Sequence, residues 1–282
     1  MYILADVGGT KTRVAASEDL AHFDEPIVID TPQSYDDGLT ALVAHTSRLA
    51  KGQKIDACAV GIAGTLSSDQ RVPLSTPHLE WHGNSLAADL EEALGGTAYL
   101  ANDVAHCGLG EAIFGAGRGV SIMAYVTVST GVNGARIVDG AIDRAAEGFE
   151  IGGQYLSIDP ARTFEEFLSG TAIEARTGRH PRDLGKDWVG WEELARVAAY
   201  GLYNAITHWS PERIVLGGSM MNEIGIPIES IRSHLFKVNN KYPSLPEVVH
   251  SELGDFGGIW GAMAHLAQIK SASPEGFGTR AR

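Results

Sequence analysis

Cysteine is nearly absent from this sequence: among 282 residues only Cys58 and Cys107 carry a thiol. Each stands alone in an apolar or mixed context, which argues against a disulfide framework and a cysteine-rich zinc site and leaves ordinary packing as the reading of both. No run of lysine and arginine occurs, and the formal net charge is -13. Such a surface repels nucleic-acid phosphates and anionic lipid heads, so neither nucleic acid nor a membrane is expected as a partner. Long apolar runs are missing too. The first, over 2–7, is far too short for a signal-peptide core or a membrane span, and the expectation is a soluble, cytoplasmic protein. Neither GxGxxG nor GxxxxGK[ST] is present, which removes the main support for Rossmann and P-loop readings.

What is present is apolar residue at 44%, enough for one large core or two moderate ones. Two short strands, 2–6 and 11–17, flank a Gly-Gly-Thr turn and read as a hairpin. A strand and a loop lead to a helix over 38–49, then to a buried strand over 55–62 that ends in Ala63-Gly64-Thr65. A helix over 85–94 and a strand over 98–101 follow, the latter delivering Asn102 and Asp103 at its carboxyl end, where α/β sheets usually place ligands. The pattern then starts again, with a helix over 104–114, a strand over 120–128, a Ser-Thr-Gly turn and a strand over 135–139. One glycine-containing hairpin per half is the weak repeat expected of a duplicated α/β fold. Helices over 163–177 and 191–209, a strand over 213–216 running into a loop, and a last helix over about 258–270 complete the chain. The division expected is a first lobe over 1–103, a second over 104–270 whose last helix is free to pack back on the first, and a disordered tail over 271–282.

Asp6-Val7-Gly8-Gly9-Thr10-Lys11-Thr12-Arg13 places an acid at a strand end, then glycines that let backbone N–H groups approach an anion, then hydroxyls and cations. A polyphosphate and its magnesium need these groups, although a plain hairpin turn has the same composition. Thr127 to Gly134 repeats the theme with Ser129, Thr130 and Gly131, and Gly217-Gly218-Ser219 would let a nucleobase or ribose lie against the backbone or form an ordinary turn. Phosphoryl transfer to an alcohol needs a carboxylate for the departing proton. Asp103 is the candidate, and an Asp capping the following helix is the alternative. Glu150 and Glu165 offer hydrogen-bonding groups for sugar hydroxyls, or serve as helix-dipole partners.

Taken in order, these segments resemble the ROK family of sugar kinases and related repressors, from Asp6 to about Gly261. Asp6 to Thr12 resembles its first phosphate loop, Leu100 to Glu111 its Asn-Asp catalytic segment and Ser129 to Gly140 its second phosphate loop. The resemblance implies an α/β, two-lobed actin/hexokinase-like ATPase fold built of duplicated ribonuclease-H-like domains with an interlobe cleft. It implies Asp103 as general base and Asn102 with Asp103 at the sugar. The family's Ala-Gly pair matches Ala63 and Gly64, beside Thr65, and its acidic pair matches Glu150 and Glu165. ATP would lie on Asp6, Gly8, Gly9, Thr10, Lys11 and Thr12, on Ser129 to Gly131 and on Gly217 to Ser219, with Mg²⁺ near Asp6 through water.

Two departures fall on the sugar side. The family's Glu-x-Gly-His and its cysteine-rich zinc module are represented by Glu150-Ile151-Gly152-Gly153 and the stretch 160–165, so no structural zinc is expected. Gly153 stands where a sugar-touching His is usual, and Gln154 is the substitute donor; His78 stands where Asn is usual. The opening DVGGTKTR and the later FEEFLSGT also resemble bacterial glucokinases outside the zinc-bearing group, which favours glucose, with O6 as the default position. A kinase for N-acetylhexosamine, mannose or fructose, and a catalytically idle sugar-binding or sensor protein, are the alternatives. A repressor is disfavoured because only Met1 and Tyr2 precede the first hairpin strand's core. The partners expected are a sugar and ATP, with a homodimer as a further option.

Overall fold

Six consecutive buried residues form the first strand, β1 (Tyr2–Val7), and burial on both faces puts it at the centre of a sheet. The computed structural model describes residues 1–77, 79–222 and 224–272. They fall into two compact units: Met1–Gly110 with Arg144–Gly148 and the chain from Asp255 onward, and Glu111–Asp143 with Phe149–Gly254.

In the first unit β1 is followed by β2 (Lys11–Ser17), β3 (Ile27–Asp30), α1 (Tyr35–Ala50), β4 (Ala57–Ile62), the small hairpin β5 (Thr65–Leu66) and β6 (Pro73–Ser75), α2 (Leu86–Leu94), β7 (Thr97–Asn102) and α3 (Asp103–Phe114). The sheet order is β3-β2-β1-β4-β7, antiparallel through β1 and parallel from β1 to β7. Helix ends follow local chemistry. The Ser34 hydroxyl accepts from the Asp37 N–H to start α1, with Asp36 and Asp37 in its first turn, and Gly95 at φ 73° ends α2. Alternate strand residues Ile3, Ala5, Val7, Cys58, Val60, Ile62 and Leu100 join Leu42, Leu86, Leu90 and Trp81 in one core. Cys58 lies inside it, and burial pushes its thiol up to about 12, as expected of a packing residue.

The second unit holds β8 (Ile122–Val128), β9 (Val132–Val138), β10 (Ala141–Ile142), the hairpin β11 (Tyr155–Ile158) and β12 (Ala161–Thr163), α4 (Phe164–Leu168), α5 (Gly170–Thr177), α6 (Gly190–Trp209), β13 (Arg213–Gly217), α7 (Ile228–Val238) and β14 (Glu247–His250). Its sheet order, β10-β9-β8-β13-β14, repeats that of the first: third, second, first, fourth, fifth. Leu194, Ala198, Leu202, Ala205 and Trp209 give α6 an apolar stripe at helical spacing that packs with Ala124, Val126, Ile214 and Leu216 of the sheet. The buried Glu111 carboxylate accepts N–H bonds from Ala116, Glu252 and Leu253, tying two loops of this unit together.

The chain then returns to the first unit as α8 (Gly257–Ala272), which packs on β1, β4 and β2. The face of the sheet opposite that core carries several small residues, Ala15, Ala57, Ala59, Gly61 and Ala101, beside Tyr2, Leu4, Asp6 and Tyr99. The helix presents Gly257, Gly258 and Gly261, and its backbone meets that of α3. A Cβ on Gly261 would lie 1.7 Å from the His106 carbonyl oxygen of α3, and one on Gly110 of α3 would lie 2.6 Å from the Gly257 carbonyl oxygen.

Several expectations need correction. The single helix expected over 163–177 is two helices, because Ser169 is extended (φ -66°, ψ 154°) and its hydroxyl accepts from the Ala172 N–H as the cap of α5. The loop expected after 217–219 contains α7, whose Ile228, Ile231 and Leu235 have helical spacing, and the short strand β14. Ser271 and Ala272, expected in the tail, extend α8; the rest of that tail, 273–282, lies outside the described residues. No helix among the described residues is long and apolar enough to cross a membrane.

Close packing of α8 predicts that Gly261→Ala destabilises the protein by about 1–3 kcal/mol or more through overpacking. Gly153→Ala, with nothing within 4 Å of the added Cβ, leaves stability nearly unchanged. Chemical denaturation of both variants checks this, and equal stabilities would contradict the packing described.

Candidate functional site

In the first unit Asp6 lies near the carboxyl end of β1, opposite Arg13 on β2 and Gly61 on β4. It is buried, and a Cβ on Gly258 at the start of α8 would lie 2.6 Å from its carboxyl carbon. Burial lifts its carboxyl from 3.8 to about 6, while the charge and hydrogen bond of Arg13, 3.4 Å away, oppose the rise. The Arg13 Nε is itself buried without a hydrogen-bond partner among the described residues.

The hairpin loop that follows is stapled from below. The Thr31 N–H donates to the Thr10 carbonyl (3.0 Å), its hydroxyl donates to the Gly8 carbonyl (2.8 Å), and the Gly8 N–H donates to the Lys11 carbonyl (3.0 Å). Thr12, expected at the phosphates, is buried with its hydroxyl 3.0 Å from that of Thr31. Lys11 pairs with Asp30 at 2.5 Å on an exposed edge. Gly8 and Gly9 are half-buried and Thr10 is exposed, so the loop presents mostly backbone.

At the carboxyl end of β7, Asn102 takes over the capping role. Its Oδ1 accepts from the Ala105 N–H (3.0 Å), three residues on, while its Nδ2 donates to the Gly64 carbonyl (2.9 Å). Asp103 is the first residue of α3, with Oδ1 accepting from the Val104 N–H at 2.9 Å. The side-chain cap of α3 is therefore Asn102, not Asp103. Gly64 has φ 107°, and a Cβ there would fall 1.8 Å from the Ser75 carbonyl oxygen, so the chain beside Asn102 requires glycine. Thr65 opens β5 opposite Ser75. His78 lies outside the described residues.

In the second unit Ser129 to Gly131 form the tight connection between β8 and β9. The Ser129 carbonyl accepts from the Gly170 N–H (2.7 Å), the Thr130 carbonyl accepts from the Thr171 hydroxyl (2.9 Å), and the Ser129 and Ser219 hydroxyls are 3.1 Å apart. Gly218, at φ 91°, lies against β8: a Cβ would be 2.3 Å from the Val128 carbonyl oxygen. Two segments read separately from the sequence thus meet at a pocket of about 390 Å³, which also takes in Thr171, Glu174, His180, Arg182 and Asn222.

A second pocket of about 460 Å³ in this unit is lined by Val132, Gly152, Gly153, Tyr155 and Thr163 and by Glu150, Glu165 and Glu166. The Glu165 Oε2 accepts from the Val132 N–H (2.7 Å) and would meet a Cβ on Gly131 at 2.6 Å, so this carboxylate links the pocket to the glycine turn. Glu150 accepts from the Asn133 Nδ2 (3.1 Å). Partial desolvation raises its carboxyl, the Asn133 bond opposes this, and the Glu165 charge adds to it. Gln154, expected beside them, is turned onto α6: its Nε2 donates to the Gly201 carbonyl and its Oε1 accepts from Asn204, and it is not among the pocket residues.

The ROK family pattern matches residues 2–269. The chain belongs to the ROK family. It is 26% identical to the fructokinase of Lactococcus lactis subsp. cremoris over 87% of this chain and 87% of that one, and 21% identical to the glucokinase of Streptomyces coelicolor over 95% and 98%. A ROK family glucokinase from Streptomyces griseus, in complex with glucose and AMPPNP, superposes with a TM-score of 0.82 at 22% identity, covering 95% of this chain and 99% of that one. The fold is therefore the actin/hexokinase-like α/β architecture, consistent with the repeated strand order.

Within this ROK chain, sequence reasoning missed Thr31, which staples the first loop, and Thr171, Glu174, His180, Arg182 and Asn222 beside the second. The Ser169-Gly170-Thr171 triplet, hydroxylated and glycine-containing like Ser129 to Gly131, carried a signal for part of this; the others had none. Among the described residues no group of three or more His, Cys, Asp and Glu side chains could hold a metal ion. Magnesium carried by a nucleotide needs less. A buried carboxylate whose pKa is lifted by desolvation, with one cation at 3.4 Å, is the kind of group whose ionised form a hydrated divalent cation would favour.

Folded Asp6 holds its proton more tightly than it does unfolded, so raising the pH from about 4 to about 6 costs stability, on the order of 2 kcal/mol. Asp6→Asn, which cannot ionise, should gain on the parent protein across that window in denaturation experiments without divalent cations. A stability difference that stays constant with pH would contradict this burial of Asp6.

Proposed function

We propose that this protein is an ATP-dependent hexose kinase that transfers the γ-phosphoryl group to a sugar hydroxyl with Asp103 as general base. The observation that carries the reading is the division of labour at the end of β7, where Asn102 caps α3 and bonds Gly64 while Asp103 brings a carboxylate to the first turn. Family membership and relatives named as fructokinase and glucokinase support it.

In the reaction the acceptor oxygen forms a bond to the γ-phosphorus, the bond from that phosphorus to the β,γ-bridging oxygen breaks, ADP departs, and the hydroxyl proton passes to Asp103. Gly8, Gly9 and Thr10 offer backbone to the phosphates, as do Ser129, Thr130 and Gly131; Ser219 with Gly217 and Gly218 borders the nucleoside. Lys11 and Thr12 act through the shape of the loop, since one side chain pairs with Asp30 and the other is buried against Thr31. Magnesium, held through water near Asp6, would offset charge on the phosphates.

Glu150 and Glu165 receive hydrogen bonds from the sugar, with Asn102 and the Gly64 to Thr65 turn as further contacts; zinc has no part in this chemistry. Glucose, at O6, is the acceptor we assign first. Fructose is the competitor to set against it, because the glycine at 153 and the orientation of Gln154 alter the sugar side and fructokinases are among the relatives.

Asp103→Asn should lower kcat by about 10²- to 10⁴-fold while sugar binding, measured by calorimetry, stays nearly intact. Near-normal turnover would refute the assignment of the base. Glu150→Gln and Glu165→Gln should instead raise KM for the sugar, and unchanged sugar affinity in both would show that the sugar binds elsewhere.

A further inference from the structure

The roles proposed above leave His106 unused, although it is fully buried one turn beyond Asp103 on α3. Its Nε2 lies 3.0 Å from the Nδ1 of His265 on α8, with the rings edge to face at 5.2 Å between centroids. Its Nδ1 has no hydrogen-bond partner among the described residues and faces Gly61 of β4. A Cβ on Gly61 would lie 3.0 Å from that nitrogen and 3.2 Å from the Asp103 Cα. One glycine therefore separates the strand from both the imidazole and the start of α3. His265 is edge-on to Tyr99 of β7, the strand that ends in Asn102, so the histidine pair touches β4 and β7 as well as joining α3 to α8.

The hydrogen-bond accounting selects one tautomer. If His265 donated, the proton of a neutral His106 would sit on Nδ1 as a buried N–H with no acceptor, an expensive arrangement. With the proton on Nε2, donated to His265, only a lone pair faces Gly61. Burial, and secondarily the neighbouring His265, pushes His106 well below the usual histidine range, which agrees with a neutral ring.

We propose that His106 is a positioning residue for Asp103: as an Nε2–H donor to His265 it wedges the first turn of α3 between β4 and α8 and fixes the direction of the Asp103 carboxylate. The inference rests on the reading of Asp103 as the base. It goes beyond that reading by assigning the alignment of the base to a side chain that touches neither substrate.

The test is steady-state kinetics of His106→Ala and His106→Gln, each with and without Asp103→Asn. His106→Ala should lower kcat about tenfold while KM for the sugar stays within about twofold, since small misplacements of a reacting group are costly. His106→Gln, whose amide reaches the place of Nε2–H, should recover most of the loss, and His106→Ala should cost little more once Asp103→Asn is present. An equal loss in both backgrounds would mark a structural role alone and overturn the proposal. So would normal turnover of His106→Ala where Asp103→Asn is crippled, an outcome that leaves the base assignment standing. Near-normal turnover of Asp103→Asn defeats that assignment and this inference with it. Should His106→Ala fail to fold, His265→Ala, at a half-buried position, must give the same loss of kcat. On the unaltered protein, ¹⁵N resonances must show His106 as the Nε2–H tautomer at neutral pH; an Nδ1–H tautomer or an imidazolium would overturn the proposal.

Discussion

Close packing of α8 and α3 on each other and on the first sheet is the constraint on which the first unit depends. It exists because glycines stand where these elements meet: Gly61 of β4 against His106 and Asp103 of α3, Gly257 and Gly261 of α8 against α3, and Gly258 of α8 against Asp6 of β1. With a Cβ on Gly258 only 2.6 Å from the Asp6 carboxyl carbon, no side chain or water layer fits between them, and the carboxylate is desolvated by geometry. The same contact brings the His106 carbonyl against Gly261 and its imidazole against His265. The buried acid, the first turn of α3 and the histidine pair are thus consequences of a single close approach.

The repeated strand order explains why the candidate residues recur in two sets. In each unit a tight glycine connection joins the first two strands, and the parallel strands beside it lead into candidate site residues: β4 and β7 into Gly64 and Asn102, β13 into Gly217 to Ser219. What differs is how the loop is braced. Thr31 reaches up from the end of β3 to hold Gly8 and Thr10, whereas Gly170 and Thr171 at the start of α5 hold Ser129 and Thr130. One brace comes from the sheet edge and the other from a helix start, so the same hairpin serves two environments.

How much of this was legible depended on whether a feature was local. The two glycine hairpins, the strand that leads to Asn102 and Asp103 and the long helix α6 were readable because turn chemistry and hydrophobic period lie within a few residues. The break at Ser169 was harder, since serine is both a tolerable helix residue and a good cap, and only the competition between them splits α4 from α5. At Asn102 and Asp103 the sequence offered one capping signal for two residues, and coordinates were needed to assign it to Asn102. Gln154 was placed at the sugar by adjacency to Gly153; its amide instead satisfies Asn204 and Gly201, partners about fifty positions away that no local pattern reveals. The His106 and His265 pair, 159 positions apart, was invisible for the same reason.

Phosphoryl transfer to a hexose is tested by ADP release from the unaltered protein with ATP and magnesium across glucose, fructose, mannose and N-acetylhexosamines, against a control without sugar. Strong stimulation by one hexose, glucose first, is expected over a negligible rate without acceptor. No stimulation by any of them, or ADP release independent of sugar, would contradict it.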